Sequence, residues 1–318
     1  MEARSDPVTH AGQILAIASG DRRRPGDKIF SAGAVAAAIA ILVLLAGVAV
    51  FLAIESAPAV GSDSLPNGDT VLSYIAPLAF GTVLAAMLAV IIAVPLAVAV
   101  ALFISHIAPR RLALPLAYIV DLLAAVPSVV YGLWGIFVLG PSMVGIMEWL
   151  ETHVGWIPLF EGPASVTGRT MLVVAMVLAV MILPIVSAIA REVFAQTPRR
   201  FEEAAWALGA TRWEMIRMSV LPFGKSAVIS GSMLGLGRAL GETMAVAIIL
   251  SVSGAVSVNL ISQSNPSTIA GNIALNFPES SGVAVNLLIA SGFVLFGITL
   301  AVNMVARAII NRTNVQSE

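Results

Sequence analysis

Six stretches of twenty or more mostly apolar residues, at about 31–54, 75–106, 112–139, 171–190, 227–252 and 283–306, constrain this chain more tightly than anything else in it. About 20 apolar residues are enough for one helical crossing of a bilayer. Lipid offers the backbone no hydrogen-bond partner, so such stretches must be helices or strands of a closed barrel. Runs this long and this continuously apolar point to helices. The expected fold is an all-α integral membrane protein with about six transmembrane helices. The first stretch is too long for the 7–15-residue core of a signal peptide and is expected to be retained. Pro77 and Pro95 interrupt the second, which predicts a tilted or kinked helix with an interfacial lead-in.

Composition agrees: 58% of residues are hydrophobic and only 11% charged, against about 25% charged in a soluble domain. Lipid must cover much of the surface. With no cysteine, disulfides, thiolate metal sites and thiol nucleophiles are excluded together, and His10, His106 and His153 have no metal-ligand spacing. No cofactor is expected in this subunit, and no nucleic-acid partner.

The basic residues orient the bundle. Arg110 and Arg111 follow the second stretch; Arg191, Arg199, Arg200, Arg212, Arg217 and Lys225 surround the connection after the fourth; Arg307 and Arg312 follow the sixth. Five more lie in the first 30 residues, and only Arg169 falls in an opposite loop. The alternate loops (56–74, 141–169, 253–282) carry Asp63, Asp69, Glu148, Glu151, Glu161 and Glu279. The positive-inside rule then places both termini in the cytoplasm. The chain divides into a cytoplasmic tail (1–30), a transmembrane domain (31–312) and a short C-terminal tail (313–318). Asn311-Arg312-Thr313 matches a glycosylation acceptor, but on the wrong side of the membrane.

The connection at 195–225 is not a passive loop. Pro198 precedes helix-forming residues up to Leu208, Gly209 suits a helix C-terminus with positive φ, and Thr211 with Glu214 can form a capping box. Two short helices around a glycine turn are predicted, with more apolar surface (Phe201, Trp206, Leu208, Trp213, Ile216) than a linker needs. Something docks there.

Glu203-Ala204-Ala205, Gly209 and the terminal Leu221-Pro222 resemble the EAA loop of ABC-importer permeases. Ser219 departs from that pattern, which prefers isoleucine. The resemblance implies a type I ABC-importer permease fold whose loop inserts into a cleft on the ATPase. Gly235-Leu236-Gly237-Arg238-Ala239-Leu240-Gly241-Glu242-Thr243-Met244-Ala245-Val246 resembles the signature of phosphate-specific permeases. So does Asp121-Leu122-Leu123-Ala124-Ala125-Val126-Pro127-Ser128 with Tyr131-Gly132-Leu133-Trp134-Gly135. The likeness is to the C-type (PstC) subunits of that family. It implies a homologous second permease (PstA-like), an ATPase dimer (PstB-like) that holds ATP and Mg, and an external phosphate-binding protein (PstS-like). The same fold serving sulfate or molybdate is the nearer alternative, and an ion-driven secondary transporter the more distant one. The latter would show an internal repeat or paired broken helices and has no use for a docking loop.

Two nucleotide-site decoys fall away. The run ending Gly224-Lys225-Ser226 lacks the first glycine of a phosphate loop, having Ser219 there, and Gly235, Gly237 and Gly241 have the wrong spacing for a dinucleotide loop. Gly231/Gly235 and Gly237/Gly241 instead suit close helix packing in lipid. Arg238 and Glu242, four residues apart, would share one helical face. Either they form a self-neutralising ion pair, or Arg238 gates the pore or touches the passing anion. A guanidinium suits phosphate because it can donate two parallel hydrogen bonds. Asp121, expected near mid-span, reads as a structural partner for a neighbouring helix or for Arg238, and Ser128, after Pro127, as a pore-facing hydroxyl.

Overall fold

The computed structural model of the protein describes residues 25–61, 70–254 and 256–314. Expectations for 1–24 and 315–318, and for Asp63 and Asp69, lie outside them, as do side chains from 310 onward. The described residues build helices: α1 (Pro25–Val60), α2 (Val71–Leu102), α3 (Arg110–Ala124), α4 (Ser128–Trp134), α5 (Gly140–Val154), α6 (Met171–Ala195), α7 (Arg199–Ala207), α8 (Arg212–Met215), α9 (Leu221–Leu240), α10 (Met244–Ile249), α11 (Ile269–Asn276) and α12 (Val283–Asn314). π turns extend α2 (Phe103–Ile107) and join α4 to α5 (Gly135–Leu139) and α8 to α9 (Ile216–Val220). Among the described residues there is no sheet, only an isolated bridge between Val252 and Asn265.

The chain divides into two units at Phe51. The described part of the first is α1 up to that residue. In the second, the last turns of α1 join the bundle: Ala59 is buried with Leu287 beside Val71, Tyr74 and Val283, and Asn286 Nδ2 donates to the Glu55 carbonyl at 2.6 Å.

The centre of the second unit is the α2–α6 pair. Ala85, Ala89, Ala93, Ala97 and Ala101 recur every fourth residue along α2 and are fully or almost fully buried. An i, i+4 row that offers only methyl groups lets the two axes come close, which is how helices associate where lipid removes the hydrophobic advantage. Buried residues of α6 in the same core cluster supply the bulk, with Val173, Val174, Val177, Leu178, Met181 and Ile182. Gly81 begins the same row and meets backbone: a Cβ there would clash with the Ser267 carbonyl oxygen.

Among the described residues, five continuous helices are long and apolar enough to cross a membrane: Ile29–Val60, Val71–Ile107, Ser128–Val154, Met171–Ala195 and Val283–Ile309. Two sequence expectations need correction here. The stretch at 112–139 is not one helix. Pro127 has no N–H to continue the ladder, α3 stops at Ala124, and α4 restarts at Ser128. The Tyr131 hydroxyl donates to the Leu123 carbonyl at 2.8 Å, bridging the break. The two pieces still follow one path along α6, since Asp121 meets Arg191 and Gly135 meets Val177. Those contacts are fourteen residues apart on both segments, in opposite order, so α3–α4 runs antiparallel to α6. The expected loop at 141–169 then begins as helix α5. The stretch at 227–252 is likewise divided: α9 starts earlier, at Leu221, and ends at Leu240, and α10 begins at Met244.

The segment after α10 is fixed by Asn265, whose buried side chain donates to the carbonyls of Arg169, Ser251 and Ser262 and accepts from the Met171 N–H at 3.0 Å. Arg169 Nε donates to the Ile249 carbonyl in the last turn of α10 at 3.2 Å. A cation is favourable at a helix C-terminus, which accounts for the lone basic residue among the acidic loops.

Candidate coupling surface and pore-facing site

The segment from α7 to the start of α9 forms a knob with a buried underside. Ala205, Met215, Ile216 and Val220 pack with Ala101 and Leu102 of α2 and Ala190 and Phe194 of α6. The turn has the expected chemistry. Gly209 has φ +81° directly after α7, and a Cβ there would meet nothing within 4 Å. Thr211 and Glu214 cap α8 reciprocally: the Thr211 N–H donates to Glu214 Oε2 at 2.8 Å, and the Glu214 N–H donates to Thr211 Oγ1 at 3.4 Å. Those two donors on Thr211, the N–H first and the hydroxyl second, hold the Glu214 carboxyl below the usual carboxylate range. Because its folded value is the lower one, this stabilisation is present above the unfolded value and is lost as pH falls through the folded one.

Of the EAA triad, Ala205 faces inward while Glu203 and Ala204 are exposed, beside exposed Trp206, Leu208 and Trp213. Phe201, Ala204, Leu208, Met218, Pro222 and Phe223 line an apolar groove of about 450 Å³ on the outer side of the knob. Leu221 is half-buried behind it. Ser219, the departure from the family pattern, donates through Oγ to the Phe201 carbonyl at 3.1 Å and closes the knob on itself.

The second candidate region lies on α9. One face packs on α6: a Cβ at Gly231 would touch Ile189, and one at Gly235 would lie 3.2 Å from Val186 Cγ2. Gly237 has nothing within 4 Å, so the packing reading holds for the first glycine pair and not for Gly237. The opposite face carries exposed Ser230, Leu234, Gly237 and Arg238. With Ile185, Met233 and Asn303 they line a depression of about 630 Å³.

Arg238 and Glu242 do not pair. Their expected geometry assumed a continuous helix, but α9 ends between them. Glu242 is turned inward, only 8% exposed, and its Oε1 accepts from the Ala245 N–H in the first turn of α10 at 3.1 Å. Among the described residues no carboxylate lies within ion-pair distance of Arg238. Asp121 is also placed differently. Its oxygens accept from Arg191 Nη2 at 3.0 and 3.1 Å, four residues before the end of α6, so it sits towards the basic end of the bundle rather than at mid-span. Its partner is Arg191, not Arg238. Ser128 opens α4 half-buried, and it is neighbouring Tyr131 that makes the hydrogen bond across the break. Sequence reasoning missed Asn265 and the bridging role of Tyr131; neither has a local pattern to betray it, because their partners lie in other segments or beyond a helix break.

The described residues thus form an all-helical bundle with a two-helix knob at its basic end and a broken helix that carries Arg238 on its exposed face. The fold of a bacterial ABC transporter for alginate, solved with a pentasaccharide-bound periplasmic protein, superposes with TM-score 0.63 over 90% of this chain and 95% of that one, at 16% identity. The sequence model for binding-protein-dependent transport system inner membrane components matches residues 107–315. The phosphate transport system permease protein PstC 2 of Mycobacterium tuberculosis is 42% identical over 320 residues, covering 96% of this chain and 97% of the relative. The PstC of Mycobacterium leprae is 48% identical over 247 residues, 76% of this chain and 77% of the relative. The chain belongs to the binding-protein-dependent transport inner membrane components, and within them to the PstC-type permeases. It is a multi-pass inner-membrane permease subunit of an ABC importer, a family that works with an ATPase and a substrate-binding protein.

Proposed function

We propose that the chain forms half of the translocation pore of an ATP-driven inorganic phosphate importer. The observation that carries this reading is Arg238, exposed on the free face of a broken helix with no carboxylate paired to it among the described residues, in a chain whose relatives are named phosphate permeases. A guanidinium presents a fork of donors to a tetrahedral oxyanion, and hydroxyl and amide groups at Ser230 and Asn303 share the depression. One cation offers a passing contact, which suits conduction better than a tight site. The free face of α9 is where a homologous PstA-like permease completes the pore. The 195–225 knob docks on a PstB-like ATPase dimer, which supplies ATP and Mg, and catalysis belongs to that partner. ATP binding draws the docked knobs together and turns the pore outward, to a PstS-like phosphate-binding protein. The test is uptake by the complex reconstituted in proteoliposomes: phosphate should accumulate only with ATP and the binding protein. Accumulation of sulfate or molybdate instead would reassign the substrate.

The same reading places both termini in the cytoplasm, and the transmembrane domain at 31–312 between short tails (1–30 and 313–318). The segments 141–169 and 253–282 then face the binding protein. Support comes from charge, because the knob and its flanks hold Arg191, Arg199, Arg200, Arg212, Arg217 and Lys225 while the opposite segments are acidic. The chain has no native cysteine, so a single one reports its side cleanly. His153→Cys, at an exposed position on α5, should react with an impermeant thiol reagent added outside. Reaction only from the cytoplasmic side would invert the topology.

A further inference from the structure

The knob is joined to α2 by more than its apolar underside. Glu202, on the first turn of α7, places Oε1 3.6 Å from His106 Nε2, and both side chains are largely buried. His106 lies in the π turn that ends α2. Its Nδ1 is 2.7 Å from Ser105 Oγ, which is itself 2.8 Å from the Ala101 carbonyl. Ser105 therefore biases the ring. If its hydroxyl donates to Nδ1, the neutral ring carries its proton on Nε2, facing Glu202. If the hydroxyl donates to Ala101 and Nδ1–H donates to Oγ, Nε2 attracts the carboxylate only as the imidazolium. The separation exceeds the roughly 2.7–3.2 Å of a hydrogen bond, so the contact has room to tighten.

Towards its N-terminal half, α2 touches the segment that leads into α11. Thr82 Oγ1 accepts from the Ile269 N–H at the start of α11, at 2.9 Å, and Gly81 abuts the Ser267 carbonyl. From Thr82 to His106 the helix is a rod of roughly 36 Å at 1.5 Å per residue. Its alanine row against α6 offers methyl groups, so no polar group of that row ties α2 to α6. The buried Thr197 hydroxyl at the α6–α7 corner has no hydrogen-bond partner among the described residues.

We propose that Glu202 and His106 are positioning residues of the coupling machinery, a polar link through which displacement of the knob is delivered along α2 to the 251–268 segment and α11. This rests on the reading of the knob as the ATPase contact. An apolar underside transmits compression without fixing direction; a carboxylate set against an imidazole fixes which turn of α7 follows which turn of α2. Neither residue belongs to the EAA triad, and neither touches substrate.

The experiment uses the whole complex in proteoliposomes and reads phosphate imported per ATP hydrolysed, normalised to inserted protein. Glu202→Gln and His106→Phe should each lower that ratio by roughly threefold or more, and the double variant should be no worse than the poorer single, since linked residues are non-additive. Glu202→Asp should restore part of the loss. A wild-type ratio in either single variant, or a double loss equal to the product of the singles, overturns the link. Cysteine crosslinking from Arg212→Cys to the ATPase separates the two claims. A crosslink with unchanged ratios overturns only the link, whereas no crosslink from an otherwise native chain removes the docking reading and the link with it.

Discussion

Gly209→Val should abolish import while leaving the protein inserted and its bundle intact. The left-handed backbone at Gly209 costs an L-residue roughly 1–2 kcal/mol, and more for a β-branched one. The turn must therefore open and reset the angle between α7 and α8. No atom lies within 4 Å of the added Cβ, so nothing in the membrane domain is displaced. Glu203→Lys should give the same phenotype by another route. Glu203 is exposed and has no hydrogen bond or ion pair to a described residue, so its reversal is felt only by a docked partner. The measurement is phosphate uptake together with ATPase co-purification. Wild-type values of both, in both variants, would remove the knob from the coupling path.

The second large effect concerns Arg238. Exchanging the charges (Arg238→Glu with Glu242→Arg) should fail as badly as Arg238→Ala, because the two residues hold different posts. Arg238 faces an open depression, and Glu242 faces the first turn of α10. On the proposed pore reading, the exchange puts a carboxylate on the anion's path and a buried cation against a helix N-terminus, each the unfavourable sign. Loss of a hydrogen bond to a charged group is about 1.5–3 kcal/mol, a tenfold or larger fall in uptake per inserted protein. Glu242→Ala alone should act mainly on the amount of folded protein, since it strands a buried N–H at about 1–3 kcal/mol. Near-normal uptake by the exchanged variant would make Arg238 a structural residue.

Hydropathy carried the class of fold, since each apolar stretch must close its own hydrogen bonds in lipid. It did not carry the interruptions. Pro127 lies inside an apolar run that a window average passes over, and the end of α9 at Leu240 has no proline to mark it. That second break undid the Arg238–Glu242 pairing, which depends on an unbroken helix. The knob was legible almost residue by residue, because Pro198, Gly209, Thr211 and Glu214 act through contacts close in sequence. The pairings of Asp121 with Arg191, Arg169 with Ile249 and Asn265 with Met171 were not legible, because each spans 70 or more residues. The alanine row of α2 was present in the sequence as a four-residue repeat of small side chains, and it marks the face that meets α6.

On the proposed function, this subunit conducts phosphate only as part of an ATP-driven complex. The most direct measurement is affinity purification of the intact assembly, with each partner identified by mass. A second permease, an ATPase and a phosphate-binding protein should be held with this chain. Recovery of the chain as a homo-oligomer that transports phosphate without an ATPase would contradict that function.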